Sequence, residues 1–477
     1  MLPFLILTLA SAQAERPPEV GVTIEPLVAF DLSKDSDTED TVETWTWIRA
    51  RAKQQLDHGQ WFIGVDGEHQ LRHGADTEAI WRVRVAESGW SGPAGPAHVR
   101  AGLLIERWGK LDFLPVVDVL NPRDLRAGPL ATIEALRTPT PMVTGQAGSD
   151  TLRLEMVVQP FPSTDQVPIM GSDWSLIRPG MIEDFLNDAA TWEGGSSLLL
   201  SGPLDQLGST ISDLDPSTMR SLNDAFAASG QPEAFAINGN AAGRLEWEGS
   251  GFDLAIMAAN LRASAPATKL DGSFQSMLET RTLPEIDELN GLLETNPLTI
   301  RWPRTWMTGA ELSTVAGPVS IRAEGAWWSN KVIQQPWLAA TTRPALAAGL
   351  GLDWSYGSRL FVAAEGRYHR WIDAPDIMAF TAEEVIEVAG TARLSLAQDR
   401  LMVQTSGLLN TTFSEFMVRP ELNWRVSDPI SLGLGAVLID GPNDAPQTLI
   451  DALAWEGGPL TTVQDNDSVF ATLRWIR

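Results

Sequence analysis

Apolar and polar positions alternate with a period of two over long stretches of the second half of the chain. Val319, Ile321, Ala323, Gly325 and Trp327 interleave with Ser320, Arg322, Glu324, Ala326 and Trp328. Leu360, Val362, Ala364, Gly366 and Tyr368 interleave with Phe361, Ala363, Glu365, Arg367 and His369. Phe416, Val418, Pro420, Leu422, Trp424 and Val426 interleave with Met417, Arg419, Glu421, Asn423 and Arg425. Successive side chains of a strand point to opposite faces, so this period predicts strands with one apolar and one polar face.

The links between these segments differ in length in a regular way. Short turns at 315–317, 356–358, 398–399 and 427–428 mostly take turns with longer loops at 329–345, 371–384 and 441–467. Short turns on one side and long loops on the other are the pattern of an outer-membrane β-barrel, with the short turns periplasmic. Nine strands are expected from 299–314 to 468–476, and nine more at 20–31, 43–56, 60–72, 78–86, 98–108, 113–119, 151–160, 242–250 and 252–263. The expected fold is therefore an all-β, antiparallel transmembrane barrel of about 16 to 18 strands, an even number as such barrels require.

Three stretches break the alternation. Residues 120–148 are expected as an insert into the lumen, beginning Pro-rich and continuing as a helix over 130–137. Residues 172–238 and 264–297 are expected as long extracellular inserts, with helices at 181–190, 217–229 and 283–294. The second of these helices follows Asp215-Pro216, a capping residue with proline at the first helical position.

Composition sharpens this picture. Residues 2–10 are almost wholly apolar and Ala12-Gln13-Ala14 offers small residues for cleavage, so 1–14 is expected as a signal peptide and 15–477 as the barrel. No run of about 18 apolar residues predicts a transmembrane helix. The chain has no cysteine, which removes thiolate metal sites and cysteine nucleophiles. The 19 tryptophans against 2 tyrosines fit a protein that sets amphipathic rings at a lipid–water boundary. On the expected strand directions, Trp247, Trp354, Trp424 and Trp475 fall at periplasmic ends, and Trp302, Trp306, Trp327 and Trp371 at the opposite ends. The net charge of −26 argues against nucleic acid as a partner, because phosphate binding needs a basic face. If part of that excess faces the lumen, the pore should favour cations.

The most distinctive string is Trp108-Gly109-Lys110-Leu111-Asp112 followed by Val116-Val117-Asp118-Val119-Leu120-Asn121-Pro122-Arg123-Asp124-Leu125-Arg126. It resembles the signature, Trp-Gly then Val-Asp-Val-x-Asn-Pro-x-Asp-Leu-Arg, of a family of largely uncharacterised Gram-negative outer-membrane proteins related to alginate-export-type porins. The resemblance continues more loosely through 136–142, 152–160 and the hairpins after Asn296. It implies a transport barrel in the outer membrane of a Gram-negative bacterium, in contact with its lipid, for a small solute or polymer left undefined. It supplies no catalytic residue, cofactor or metal, and leaves oligomeric state open.

The expected lumen-lining residues are Arg322, Glu324, Glu365, Arg367, Arg419, Glu421 and Arg425, all on polar strand faces. Their mixed signs describe a salt-bridged wall, and argue against alginate as the cargo. Asn121, Arg123 and Asp124 form a chain reversal that either narrows the pore or holds the rim. His69 and His73 are four apart on a strand end and loop, a poor metal spacing. The expected function is a porin-like channel for passive or facilitated transport. The alternatives are a barrel hydrolase using, for instance, His369 with a nearby serine, and a structural or adhesive barrel that binds a partner through its long loops.

Overall fold

A computed structural model of the chain describes residues 18–32, 42–73, 77–130, 136–167, 174–178, 181–189, 191–192, 239–282 and 298–477. The expected signal peptide and the expected helices at 217–229 and 283–294 lie outside the described residues. The first half contributes β1 (Glu19–Asp31), β2 (Val42–Leu56), β3 (Gly59–His73), β4 (Thr77–Val85), β5 (Ser88–Ala94), β6 (Ala97–Leu104), β7 (Thr140–Gly148), β8 (Leu152–Gln159), β9 (Asn240–Glu248) and β10 (Phe252–Arg262). Outside the barrel, β11 (Ala267–Leu270) pairs with β12 (Leu298–Arg301). The second half contributes β13 (Arg304–Ala316), β14 (Val319–Gln334), β15 (Ala340–Tyr356), β16 (Leu360–Trp371) and β17 (Glu384–Leu396). It ends with β18 (Leu401–Asn410), β19 (Glu415–Ser427), β20 (Ile430–Asp440) and β21 (Ser468–Ile476).

Each barrel strand pairs antiparallel with its neighbours, and β1 pairs with β21, so the sheet closes on itself. β4 and β5 both pair with β3, the register slipping by one residue between Val65↔Val85 and Phe62↔Gly89. They are two halves of one interrupted strand, with one extra residue at Ala86–Glu87 as in a bulge. The barrel therefore has eighteen strands. Closure is what lets strands cross lipid at all, since an open edge leaves backbone groups unsatisfied in hydrocarbon.

The total agrees with the sequence expectation, but two of its parts change places. Residues 113–119 form no strand; they are irregular backbone inside the barrel, where Leu114-Pro115 interrupts a run otherwise suited to β-structure. The missing wall strand is β7, which takes residues 140–148 out of the expected lumen insert. The inserted segment is instead 105–139, and it leaves and rejoins the wall at one place, because Leu104 and Thr140 are register partners. Asn121 ties this neck: its Oδ1 accepts the Glu106 amide at 2.8 Å, and its Nδ2 donates to Leu104 O at 2.9 Å and Thr138 O at 3.0 Å.

Of the expected helices, the one at 181–190 is present as α1 (Met181–Ala189). The one at 130–137 is described only by a single 3-10 turn at Gly128–Leu130, as 131–135 lie outside the described residues. Two further helices, α2 (Gly272–Thr280) and α3 (Leu449–Leu453), were not expected. The Asp271 side chain caps α2 by accepting the Ser273 amide, and Thr448 with Asp451 makes a reciprocal capping box for α3. Ala189, Trp192, Leu270, Met277, Leu278 and Leu453 then pack into one apolar cluster that joins the long loops over the extracellular end.

Candidate functional site

The inner segment is held by two carboxylates that project from the wall. Glu324 on β14 accepts four backbone amides: Lys110 at 2.5 Å and Leu111 at 2.7 Å on Oε1, Val116 at 2.7 Å and Val117 at 3.1 Å on Oε2. Glu365 on β16 accepts three more, from Asp112 at 2.8 Å, Phe113 at 2.9 Å and Leu114 at 2.9 Å. Consecutive amides turned toward one point make an anion-holding concavity, here filled by the protein's own side chains. Gly109 shapes it: φ is +96°, and a Cβ there would lie 2.6 Å from Glu324 Oε1. Arg322 completes the anchor by bonding Asp112 at 2.7 Å, Asp353 at 2.7 Å, Glu365 at 3.1 Å and the Lys110 carbonyl.

The wall beneath is built to receive the segment. Trp108, Leu111, Val116, Val117 and Leu120 are buried against Met257, Ala259, Met307, Ala326 and Ala347, so β10 and β13–β15 present small or flexible side chains inward. At Gly349 a Cβ would meet Leu111 Cδ1 at 2.4 Å, so the absence of a side chain there is what seats Leu111.

The opposite side of the lumen stays open. A cavity of about 350 Å³ runs between β2–β4 and the inner segment, with Arg49, Arg51, Arg82, Arg84, Arg126 and Arg137 against Asp66, Glu68 and Glu87 in its lining. A second, of about 590 Å³, lies toward the periplasmic end, shares Arg51 and Glu87, and adds Lys53 and Arg100. Several compensating acids sit behind the guanidinium layer: Asp118 bonds Arg137 at 2.5 Å, and Asp124 bonds Arg126 at 2.7 Å and Arg84 at 3.1 Å. Periodicity could locate Arg49, Arg51, Arg82 and Arg84 on an inward face, but the sequence held no signal that β2, β4 and the 105–139 segment would converge on one side.

The remaining sequence candidates fall into three positions. Arg367 pairs with Glu387 on the neighbouring strand. Arg419 donates to the Pro129 carbonyl at 2.6 Å, lies over the Phe470 ring and approaches Glu421 at 3.6 Å, so it meets the inner segment from β19. Arg425 is exposed near the periplasmic end of that strand. The Arg123 amide donates to Asp165 at 2.7 Å, and its backbone bridges Arg137. Asp124 is buried, which alone would raise its carboxyl pKa. The Arg126 hydrogen bond, the Arg126 charge and Arg84 outweigh that and hold it below the ordinary carboxylate range. At Glu106, also in the segment, burial wins over the Arg100 charge and the carboxyl is pushed up.

Among the described residues the histidines form no assembled catalytic group. His369 contacts Lys331 Nζ at 3.2 Å and packs against Trp371, and His69 stacks on Trp81. Ser91 Oγ and His98 Nε2 are 2.8 Å apart at the periplasmic mouth, but both are solvent-accessible. Among the described residues no third group is hydrogen-bonded to the His98 ring to orient it, as a serine nucleophile's base requires. No cluster of His, Asp and Glu suited to a metal occurs among the described residues either.

The outer face decides the setting. Val83, Met156, Ile256, Leu350 and Leu434, on strands around the whole circumference, are each more than half exposed. Trp247, Trp354 and Trp424 are exposed at the periplasmic ends of their strands, and Trp306 and Trp327 at the extracellular ends. This is an apolar belt between two aromatic girdles. The chain is an outer-membrane β-barrel. One expected girdle member is corrected: Trp371 is on the inward phase of β16, buried, with its Nε1 bonded to Thr381.

No family model matches the chain, and no curated protein matches it in sequence. Solved structures similar to it are outer-membrane porins. OccK5 (OpdH) of Pseudomonas aeruginosa is 7% identical with a TM-score of 0.45, over 97% of this chain and 98% of that one. OccAB4 of Acinetobacter baumannii is 9% identical with a TM-score of 0.47, over 97% and 98%. Salmonella typhi OmpF is 10% identical with a TM-score of 0.39, over 96% and 97%.

Proposed function

We propose that the protein is a porin-like channel for passive or facilitated transport of a small solute, and that its path follows the arginine-lined side of the lumen. The observation that carries this reading is the arrangement of the inner segment. It is docked on β10 and β13–β16 and leaves two cavities, both lined by Arg51 and Glu87, along β2–β6. The segment narrows the pore by filling one side. Arg322, Glu324 and Glu365 act as its anchors, and Asn121 as the clamp at its neck. The resemblance of 108–126 to alginate-export-type porins supports a transport barrel; the mixed charge of the lumen supports a cargo other than a polyanion.

The path carries guanidinium donors on its surface, with several of their carboxylates set behind them. The lining of the first cavity carries six guanidiniums against three carboxylates. The channel is therefore a weakly anion-preferring one, opposite in sense to what the net charge of −26 suggests. Planar-bilayer recording in a salt gradient tests both parts. A reversal potential toward the anion equilibrium is expected, moved toward zero by Arg49→Gln with Arg82→Gln. Cation preference would overturn the assignment of the path, and no conductance from correctly folded protein would overturn the channel.

A further inference from the structure

On the outer face, β10 and β13 carry a feature that transport does not use. Ile256, Ala258 and Asn260 ascend the outward side of β10, while the intervening Ala255, Ala259 and Leu261 are buried against the inner segment or the wall. Arg262 is next on that outward column. It lies directly across from Arg304, one step above the Asn260↔Trp306 pair. Trp306 is 58% exposed and belongs to the extracellular girdle, with Trp327 beside it on β14. The two guanidiniums thus leave the backbone about 7 Å farther along the strands than the tryptophan level, given about 3.3 Å per residue. That is where the apolar belt ends and lipid headgroups begin.

Like charges directly opposite on paired strands repel. Acceptors of Arg304 include the Asn260 side chain at 2.9 Å and the Gly239 carbonyl at 2.8 Å. The Arg262 Nε and Nη1 donors are shielded from water and have no hydrogen-bond partner, and among the described residues no carboxylate pairs with this side chain. A shielded, unsatisfied guanidinium held beside a second one lacks an anion. The contrast is Arg370, also outward at the extracellular end of its strand, which has Glu383 at 3.6 Å and Glu384 at 3.4 Å.

We infer that Arg262 and Arg304 form a binding site on the barrel's outer face for the phosphate of an outer-leaflet glycolipid. The Arg262 guanidinium pairs with the phosphate, Arg304 approaches from the facing strand, and Trp306 lies at the junction of headgroup and acyl chains.

The test uses the full folded protein in detergent, titrated with diphosphoryl lipid A and with enzymatically dephosphorylated lipid A, and read by native mass spectrometry. Wild-type protein is expected to hold one diphosphoryl lipid roughly ten-fold more tightly than its phosphate-free form. Arg262→Gln should abolish that difference, and Arg370→Gln should leave it intact, with heat-modifiable gel mobility and channel conductance unchanged in both. Equal retention of the two lipids by wild-type protein, which needs no variant, overturns the site. So does an equal loss in both variants. Displacement of the lipid by millimolar inorganic phosphate would make the pair a free-phosphate site and overturn the lipid assignment.

Discussion

Glu324 and Glu365 are single acidic residues that each perform a task usually left to a helix terminus or a turn. Between them they accept seven backbone amides of a segment that has almost no regular structure of its own. Hydrogen bonds to a charged group contribute about 1.5–3 kcal/mol each against the cost of burying the charge, so the anchors are worth having only as complete sets. Asp124 does the same on the arginine side, and its contribution depends on pH in a defined direction. Its folded pKa is lowered, so the stabilisation is present above the ordinary carboxylate value and is lost as pH falls through the lower folded one. Amide hydrogen exchange of the segment should therefore be faster in Asp124→Asn than in the wild type at neutral pH. The two should converge only in strong acid, below the ordinary aspartate range. Convergence near neutrality would count against the Asp124–Arg126–Arg84 contacts as the stabilising ones.

At the scale of the strand, alternation was enough to set which residues meet lipid. Leu360, Val362, Leu422 and Trp424 all lie on the outward phase of β16 and β19. Val362→Arg should destabilise the barrel by roughly 2–4 kcal/mol if it sits near the bilayer midplane, measured by reversible unfolding in liposomes. An unchanged unfolding midpoint would contradict the register. Most of the barrel was legible in this way, because a strand with one lipid face writes its period into the sequence. The exceptions have physical causes. Residues 113–119 carry the apolar content of a strand because they pack inside the barrel, and burial alone does not distinguish the two. Residues 140–148, Thr-Pro-Met-Val-Thr-Gly-Gln-Ala-Gly, have a weak outward face and contain proline and two glycines, so β7 is invisible to a periodicity argument. Trp371 has the right height for a girdle, but the inward phase.

For the whole molecule, the lumen residues were found singly while their purpose was hidden. Arg322, Glu324 and Glu365 could be placed on polar faces, yet their partners lie more than 200 positions earlier in the chain. Replacing both carboxylates, as Glu324→Ala with Glu365→Ala, should free the segment while leaving the wall closed. Single-channel conductance is expected to rise or to flicker, and the segment to become cleavable by protease added from the periplasmic side. Unchanged conductance and full protection together would show that the apolar contacts of Leu111 and Val117 suffice alone.

The same long reach has a consequence for how the molecule is made. The amides of residues 110–117 emerge early in synthesis, and must wait for β14 and β16 before anything can receive them. Contacts between such distant parts of a chain form late, because the intervening loop must first be closed. Wall and filling are thus ordered in time. The inner segment can seat, and the lumen take its final bore, only once β14 and β16 have joined the wall.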